Sequence, residues 1–285
     1  MREIEVIIFD LDGTLYQDHD FYKRYLGHLL RESEKEEELD NVIAEAKRIL
    51  QHAHPFKLGH LYHHRHEIAF HVVKDNIQSA QTWDGQEADL KKLIHLANTD
   101  PNFWNDCLYA GDAWGVVAIL SRRLNLSDGR LREAFEKVRK DMISSENGIM
   151  RDDQLMMAIN ELTRVQRKIL ITNTDHYNGV ECVSYLGIDA LFDQVFYDGK
   201  KPHGIASRMK SILEETGLQP NQVLSIGDNP WNDLYPVKKL GGRTVWISPY
   251  ESMEQEAWDS RLRTINELTG LLRELQKNKE WEIVK

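Results

Sequence analysis

Cysteine is nearly absent from this chain: Cys107 and Cys182 are the two among 285 residues, far apart and outside any CxxC spacing. That excludes a disulfide framework and a thiolate zinc site, and it predicts two reduced thiols in a cytosolic protein. Long apolar runs are missing as well. None approaches the ~20 residues that a membrane-spanning helix needs, and no signal-peptide pattern precedes the first apolar run. A cytoplasmic protein without membrane contacts is therefore expected. Nor is there an excess of positive charge. A formal net charge of -10 and a pI near 5.7 argue against nucleic acid or anionic lipid as a partner and favour a small molecule.

What is present is an ordinary globular composition, 41% hydrophobic and 29% charged, long enough to bury one large core or two smaller ones. The most informative stretch comes first. Val6-Ile7-Ile8-Phe9 is a run of four large apolar residues, the pattern of a strand buried on both faces in a parallel sheet. Asp10 and Asp12 follow at i and i+2, so strand alternation puts both on one face, just before Gly13 allows a turn. Burying two acids at a strand end is costly unless a cation sits beside them, and a divalent metal is the candidate.

After a polar, turn-like stretch at 16–20, helical periodicity runs for more than a hundred residues. Ser33 and Glu36 have capping-box spacing, and Leu39, Val42, Ile43, Ala46, Ile49 and Leu50 form one apolar stripe that ends before Pro55. The acidic run 32–40 continues that period and is read as a solvated helix face. Further helices are expected over 57–79, 86–98, 112–124 and 127–145, with no strand and no internal repeat in the region. From Gly148 onward strands alternate with helices: strands at 168–172, 194–197, 223–226 and 243–247 are separated by helices that stop at Gly187, Gly217 and Gly241-Gly242. The opening strand must join this sheet. The expected fold is α/β, a Rossmann-like parallel core built from 1–17 and 148–285, with an all-helical insertion over 18–147.

Parallel sheets gather reactive groups at the carboxyl ends of their strands. Four strand ends here carry such groups: Asp10-Leu11-Asp12-Gly13-Thr14-Leu15-Tyr16, Ile171-Thr172-Asn173-Thr174-Asp175, Lys200-Lys201-Pro202 and Gly227-Asp228-Asn229-Pro230-Trp231-Asn232-Asp233. In order and spacing they resemble the four signature motifs of haloacid dehalogenase-like (HAD) hydrolases, in which a cap is inserted after the first core strand. The resemblance implies a Mg²⁺-dependent phosphatase acting on a small phosphorylated metabolite. Asp10 would be the nucleophile that forms an aspartyl-phosphate, and Asp12 the general acid and base. Mg²⁺ would be held by the Asp10 carboxylate, the Asp12 carbonyl and the Asp228 carboxylate, with Asp233 either a further ligand through water or an orienting group. Thr172 and Asn173 would bind phosphoryl oxygens. The charge-compensating lysine would be Lys201, which precedes proline as the family's lysine commonly does, with Lys200 as the alternative. Dehalogenases of this family lack an acid at the position of Asp12, so its presence favours phosphoryl transfer. A phosphomutase using the same aspartyl-phosphate and a non-catalytic binding protein that keeps the fold are the alternatives.

Two features of the insertion stand apart. Seven of the twelve histidines (His52, His54, His60, His63, His64, His66 and His71) lie within twenty residues. On a helix, His60, His64, Glu67 and His71 would form one stripe, read either as a second metal site or cationic surface or as a polar helix face. Trp83, Phe103, Trp104, Tyr109 and Trp114 could stack on a substrate ring or pack as core. His176, just after the second motif, is either a substrate contact or a surface residue.

Overall fold

A computed structural model describes residues 3–144, 146 and 148–277. Among the described residues ten strands occur: β1 (Val6–Phe9), β2 (Leu61–His63), β3 (Ile68–Val73), β4 (Asn76–Thr82), β5 (Cys107–Tyr109), β6 (Arg167–Ile171), β7 (Gln194–Phe196), β8 (Val223–Gly227), β9 (Arg243–Ile247) and β10 (Ser260–Leu262). The chain divides into two compact units. One comprises the residues up to Asp18, Asp141–Pro249 and those from Ala257 onward; the other comprises His19–Lys140 and Tyr250–Glu256.

The first unit is built on a parallel sheet of order β10-β9-β8-β1-β6-β7. All four residues of β1 are buried, as their unbroken apolar run requires at the centre of a parallel sheet. Alternate residues of three neighbouring strands (Val6, Ile8, Ile169, Ile171 and Val223) pack on Ile205, Met209 and Ile212, which lie along one face of the helix His203–Thr216. Full burial of each such side chain contributes about 1.5–3 kcal/mol, so this layer pins the register. In that register Phe9 lies level with Leu170 of β6 and Ile226 of β8, so the strand ends carrying Asp10, Thr172 and Asp228 come out side by side. Helices His176–Leu186 and His203–Thr216 end at Gly187 and Gly217, both left-handed, as glycine permits.

The second unit corrects the expectation of an all-helical insertion. Helices Phe21–Leu30, Leu39–Leu50, Leu90–Thr99 and Ala113–Arg123 lie in it, but so does an antiparallel sheet of order β4-β3-β2-β5. Residues 57–79 form no helix. Ile68, Phe70 and Val72 alternate with period two and turn one face toward Leu61, Ala80, Leu93 and Phe103. Lys74 and Asp75 take φ of +49° and +64° and close the two-residue turn between β3 and β4. The same apolar residues fit a helical period, and three-residue strands such as β2 and β5 leave little local signal. The capping-box spacing also did not mark a helix start: Glu36 accepts from the Glu32 N–H, and the helix begins at Leu39.

Folding this stretch as strands dissolves the histidine stripe. His60 precedes β2, His63 ends it, His64 and His66 lie in the following turn and His71 is in β3. Among the described residues these histidines do not gather three ligand atoms at metal-binding separation. Of the aromatic residues, Phe103 and Trp104 meet at 5.2 Å, whereas Trp83 stacks on Phe56 at 4.7 Å and Trp114 meets Phe21 at 4.2 Å. Neither Cys107 nor Cys182 is in a disulfide, and no described helix is long and apolar enough to cross a membrane.

Candidate active site

The site lies at the carboxyl ends of β1, β6 and β8 and is assembled from buried charge. Asp10 is 6% exposed. Its Oδ1 accepts from Lys201 Nζ at 2.6 Å and its Oδ2 from the Thr14 hydroxyl at 3.1 Å. Lys201 Nζ also donates to Asp233 Oδ1 at 2.6 Å, so one ammonium bridges two carboxylates from different motifs. Asp233 arrives by way of the short π-helical turn Pro230–Leu234, where its Oδ2 accepts from the Asn229 N–H at 3.0 Å and its carbonyl from the Ser225 hydroxyl at 2.8 Å.

Two glycines permit this crowding. A Cβ on Gly13, which has φ +76°, would lie 2.2 Å from Asp228 Oδ2. One on Gly227 would lie 2.4–2.5 Å from the Asp233 side chain. The glycine in each motif is therefore the space that a carboxylate occupies. The Trp246 indole N–H donates to the Asp228 carbonyl at 2.8 Å and anchors that loop to β9.

Asp10, Asp228 and Asp233 offer carboxylate oxygens that all lie within 4.8 Å of one another. Three carboxylates against the single Lys201 ammonium would leave an excess of two negative charges if all were ionised. Burial is the main reason that the Asp10 pKa is raised to about 7; Asp233 and Asp12 push the same way, and Lys201 opposes them. For Lys201, burial favours the neutral amine, but Asp10 and Asp233 together outweigh it and hold the group charged. Carboxylate oxygens this close together are a donor set that suits a hard cation.

Asp12 occupies the next position. Its Oδ1 accepts from the Tyr16 hydroxyl, and its Oδ2 from the hydroxyls of Thr174 at 2.8 Å and Thr172 at 3.4 Å. Thr172 Oγ1 itself accepts from the Thr174 N–H at 3.0 Å, which fixes the loop after β6. Asn173 uses its side chain on the neighbouring motif, accepting from the Lys201 N–H at 2.7 Å and donating to the Lys201 carbonyl at 3.2 Å. Lys201 is buried while Lys200 is exposed. Asp10, Asp12, Thr172, Asn173, Lys201, Asp228 and Asp233 thus converge. His176 does not join them: it is exposed, its N–H donates to Asp198 and its ring lies 5.3 Å from that of Tyr197.

The sequence reading assigned no part to Thr14, Tyr16, Thr174 or Asn229. Each stands within a recognised motif, but its contact depends on how the backbone turns after the strand, which composition does not reveal.

A family model described as haloacid dehalogenase-like hydrolase matches residues 4–241. Glyceraldehyde 3-phosphate phosphatase of Pyrococcus furiosus is 28% identical over 114 residues, covering 38% of this chain and 47% of that protein. The enzyme of the same name from Methanocaldococcus jannaschii is 31% identical over 100 residues, covering 33% of this chain and 43% of that one. The chain thus matches less than half the length of these curated relatives. Among solved structures, the HAD-hydrolase YfnB of Bacillus subtilis bound to magnesium aligns over 95% of this chain and 99% of its own, with a TM-score of 0.51 and 16% identity. An L-2-haloacid dehalogenase aligns over 95% and 99% with a TM-score of 0.51 and 13% identity. At these identities the two structures establish a shared fold.

Proposed function

From the premise that the chain belongs to the haloacid dehalogenase-like hydrolases, we propose that it is a Mg²⁺-dependent phosphatase that hydrolyses a small phosphate monoester through an aspartyl-phosphate on Asp10. The observation that carries this reading is the pair of carboxylates at the end of β1 in unlike surroundings: Asp10 is buried against Lys201, and Asp12 is ringed by hydroxyls. Two acids with separate environments suit two separate tasks.

Asp10 supplies the oxygen that attacks phosphorus as the bond to the leaving oxygen breaks. Asp12 gives its proton to that departing oxygen. In the second half Asp12 takes a proton from a water molecule whose oxygen attacks the acyl phosphate; inorganic phosphate leaves and Asp10 is regenerated. Thr172 and the Asn173 N–H bind phosphoryl oxygens, and the Lys201 ammonium offsets the charge gathered between substrate and Asp10. Mg²⁺ would be held by the carboxylates of Asp10 and Asp228 and the Asp12 carbonyl, where it supplies neutralisation of phosphoryl charge. Asp233 also accepts from the Lys201 ammonium and so helps to hold it beside Asp10. The name shared by the two curated relatives supports a small phosphorylated metabolite as the substrate class.

The test is Asp10→Asn, assayed with 4-nitrophenyl phosphate and Mg²⁺. Hydrolysis should be abolished while the circular dichroism spectrum stays that of the wild type. Activity retained by this variant overturns the mechanism.

A further inference from the structure

Tyr16 follows the motif acids on a segment that the motif comparison leaves without a task. It is 2% exposed. The Leu11 carbonyl accepts from both the Thr14 N–H at 3.3 Å and the Leu15 N–H at 3.0 Å, closing a tight turn whose flanking side chains, Leu11 and Leu15, are fully buried. That turn folds Tyr16 back beside Asp12, and the two pair as an isolated β-bridge. The phenol hydroxyl then donates to Asp12 Oδ1, while the Thr174 hydroxyl, from the loop after β6, donates to Asp12 Oδ2 at 2.8 Å. The two oxygens are therefore held by two different chain segments, and rotation of the carboxylate about its Cβ–Cγ bond breaks at least one bond.

We propose that Tyr16 is a positioning residue for proton transfer: with Thr174 it clamps the Asp12 carboxyl in the orientation from which it protonates the leaving oxygen. The inference rests on the reading of Asp12 as general acid. Such a group is useful only within hydrogen-bond reach of the atom that it protonates. A rotating carboxyl spends most of its time out of that reach, whereas one held at both oxygens by a rigid turn and a buried loop is already in place. Tyr16 is suited to this because its hydroxyl sits at the end of a ring fixed by burial, with few torsions left to vary.

The test compares kcat/KM for phenyl phosphate with that for 4-nitrophenyl phosphate. Both esters pass through the same phosphoenzyme, and kcat/KM reports events up to departure of the leaving group. Phenolate is a poor leaving group that needs the proton, and 4-nitrophenolate needs it far less. In Asp12→Asn the ratio of 4-nitrophenyl to phenyl ester should rise, and Tyr16→Phe and Thr174→Val should raise it in the same direction, by about tenfold. Thr174→Ser, which keeps the hydroxyl, should restore the wild-type ratio. A merely structural role for Tyr16 lowers both values by one factor and leaves the ratio unchanged; that result, or no fall in either value, overturns the proposal. If Asp12→Asn leaves the ratio unchanged, the reading of Asp12 as acid fails, and the inference with it. If Asp12→Asn shifts the ratio and neither Tyr16→Phe nor Thr174→Val does, the inference alone fails.

Discussion

Replacing Lys201 by methionine removes the one ammonium that joins Asp10 to Asp233 and leaves most of the side-chain volume in place. The Lys201 side chain is 4% exposed and those of Asp10 and Asp233 are 7% and 2%, so the two bonds of 2.6 Å are out of reach of water. Removing one partner of a buried ion pair costs about 3–5 kcal/mol, because the remaining charge has lost its compensation. Here two carboxylates are stranded, with Asp228 close by, so the upper part of that range applies. For a chain of this size the loss corresponds to a lowering of the melting temperature by roughly 8–20 °C. Thermal unfolding followed by circular dichroism in the presence of EDTA measures it. Repeating the melt with excess Mg²⁺ should recover part of the loss, because a cation bound to the folded form supplies the missing positive charge and stabilises by mass action. Wild type should gain less from the metal than the variant. A Lys201→Met protein that melts in EDTA within about 2 °C of wild type would refute the argument, since it would mean that the triad carries no net interaction.

The remaining predictions concern other parts of the chain. Gly13→Ala drives a methyl group into the Asp228 carboxylate, where the Cβ would stand 2.2 Å from Oδ2 on a backbone of φ +76°. Displacing that carboxylate by about an ångström should lower Mg²⁺-dependent kcat/KM by about 100-fold, and a variant of near wild-type activity would show that Asp228 plays no part. His60 is buried and accepts from the Lys57 N–H at 3.0 Å; burial chiefly, with His71, Lys57 and His52 adding, lowers its pKa from 6.5 to about 4. The group is neutral when folded, so its share of stability is complete above pH 6.5 and is lost as the pH falls toward 4. That loss is about 3 kcal/mol. His60→Asn keeps an acceptor and cannot titrate, so urea unfolding between pH 4 and 7 should show a flatter dependence than wild type, and equal slopes would contradict the assignment.

Much of the first unit was readable from the chain alone, for a local reason. β1, β6 and β8 are largely apolar runs, and Asp10, Thr172 and Asp228 stand directly at their ends, so alternation of strand and helix located both together. The insertion was harder. Leu61, Ile68 and Val72 satisfy a helical period as well as part of a strand alternation, and the turn between β3 and β4 uses Lys74 and Asp75 at positive φ where glycine would have announced it. Pairing of Leu61–His63 with Cys107–Tyr109 joins segments more than forty residues apart, and no local pattern encodes such a partner.

By itself the sequence determined which residues stand at the carboxyl edge of the sheet: the register of a buried parallel strand is dictated by its apolar run, and Asp10, Thr172 and Asp228 follow those runs directly. Tertiary structure alone decided how those residues are shared out. Lys201, and not Lys200, reaches Asp10, because the Asn173 side chain grips the Lys201 backbone. Asp233 completes the ion triad because Gly227 leaves room for it, and Asp12 is held by hydroxyls from two loops that meet only once the sheet has formed. Short-range periodicity is written along one chain segment, whereas charge pairing at bonding distance depends on several segments arriving at one place.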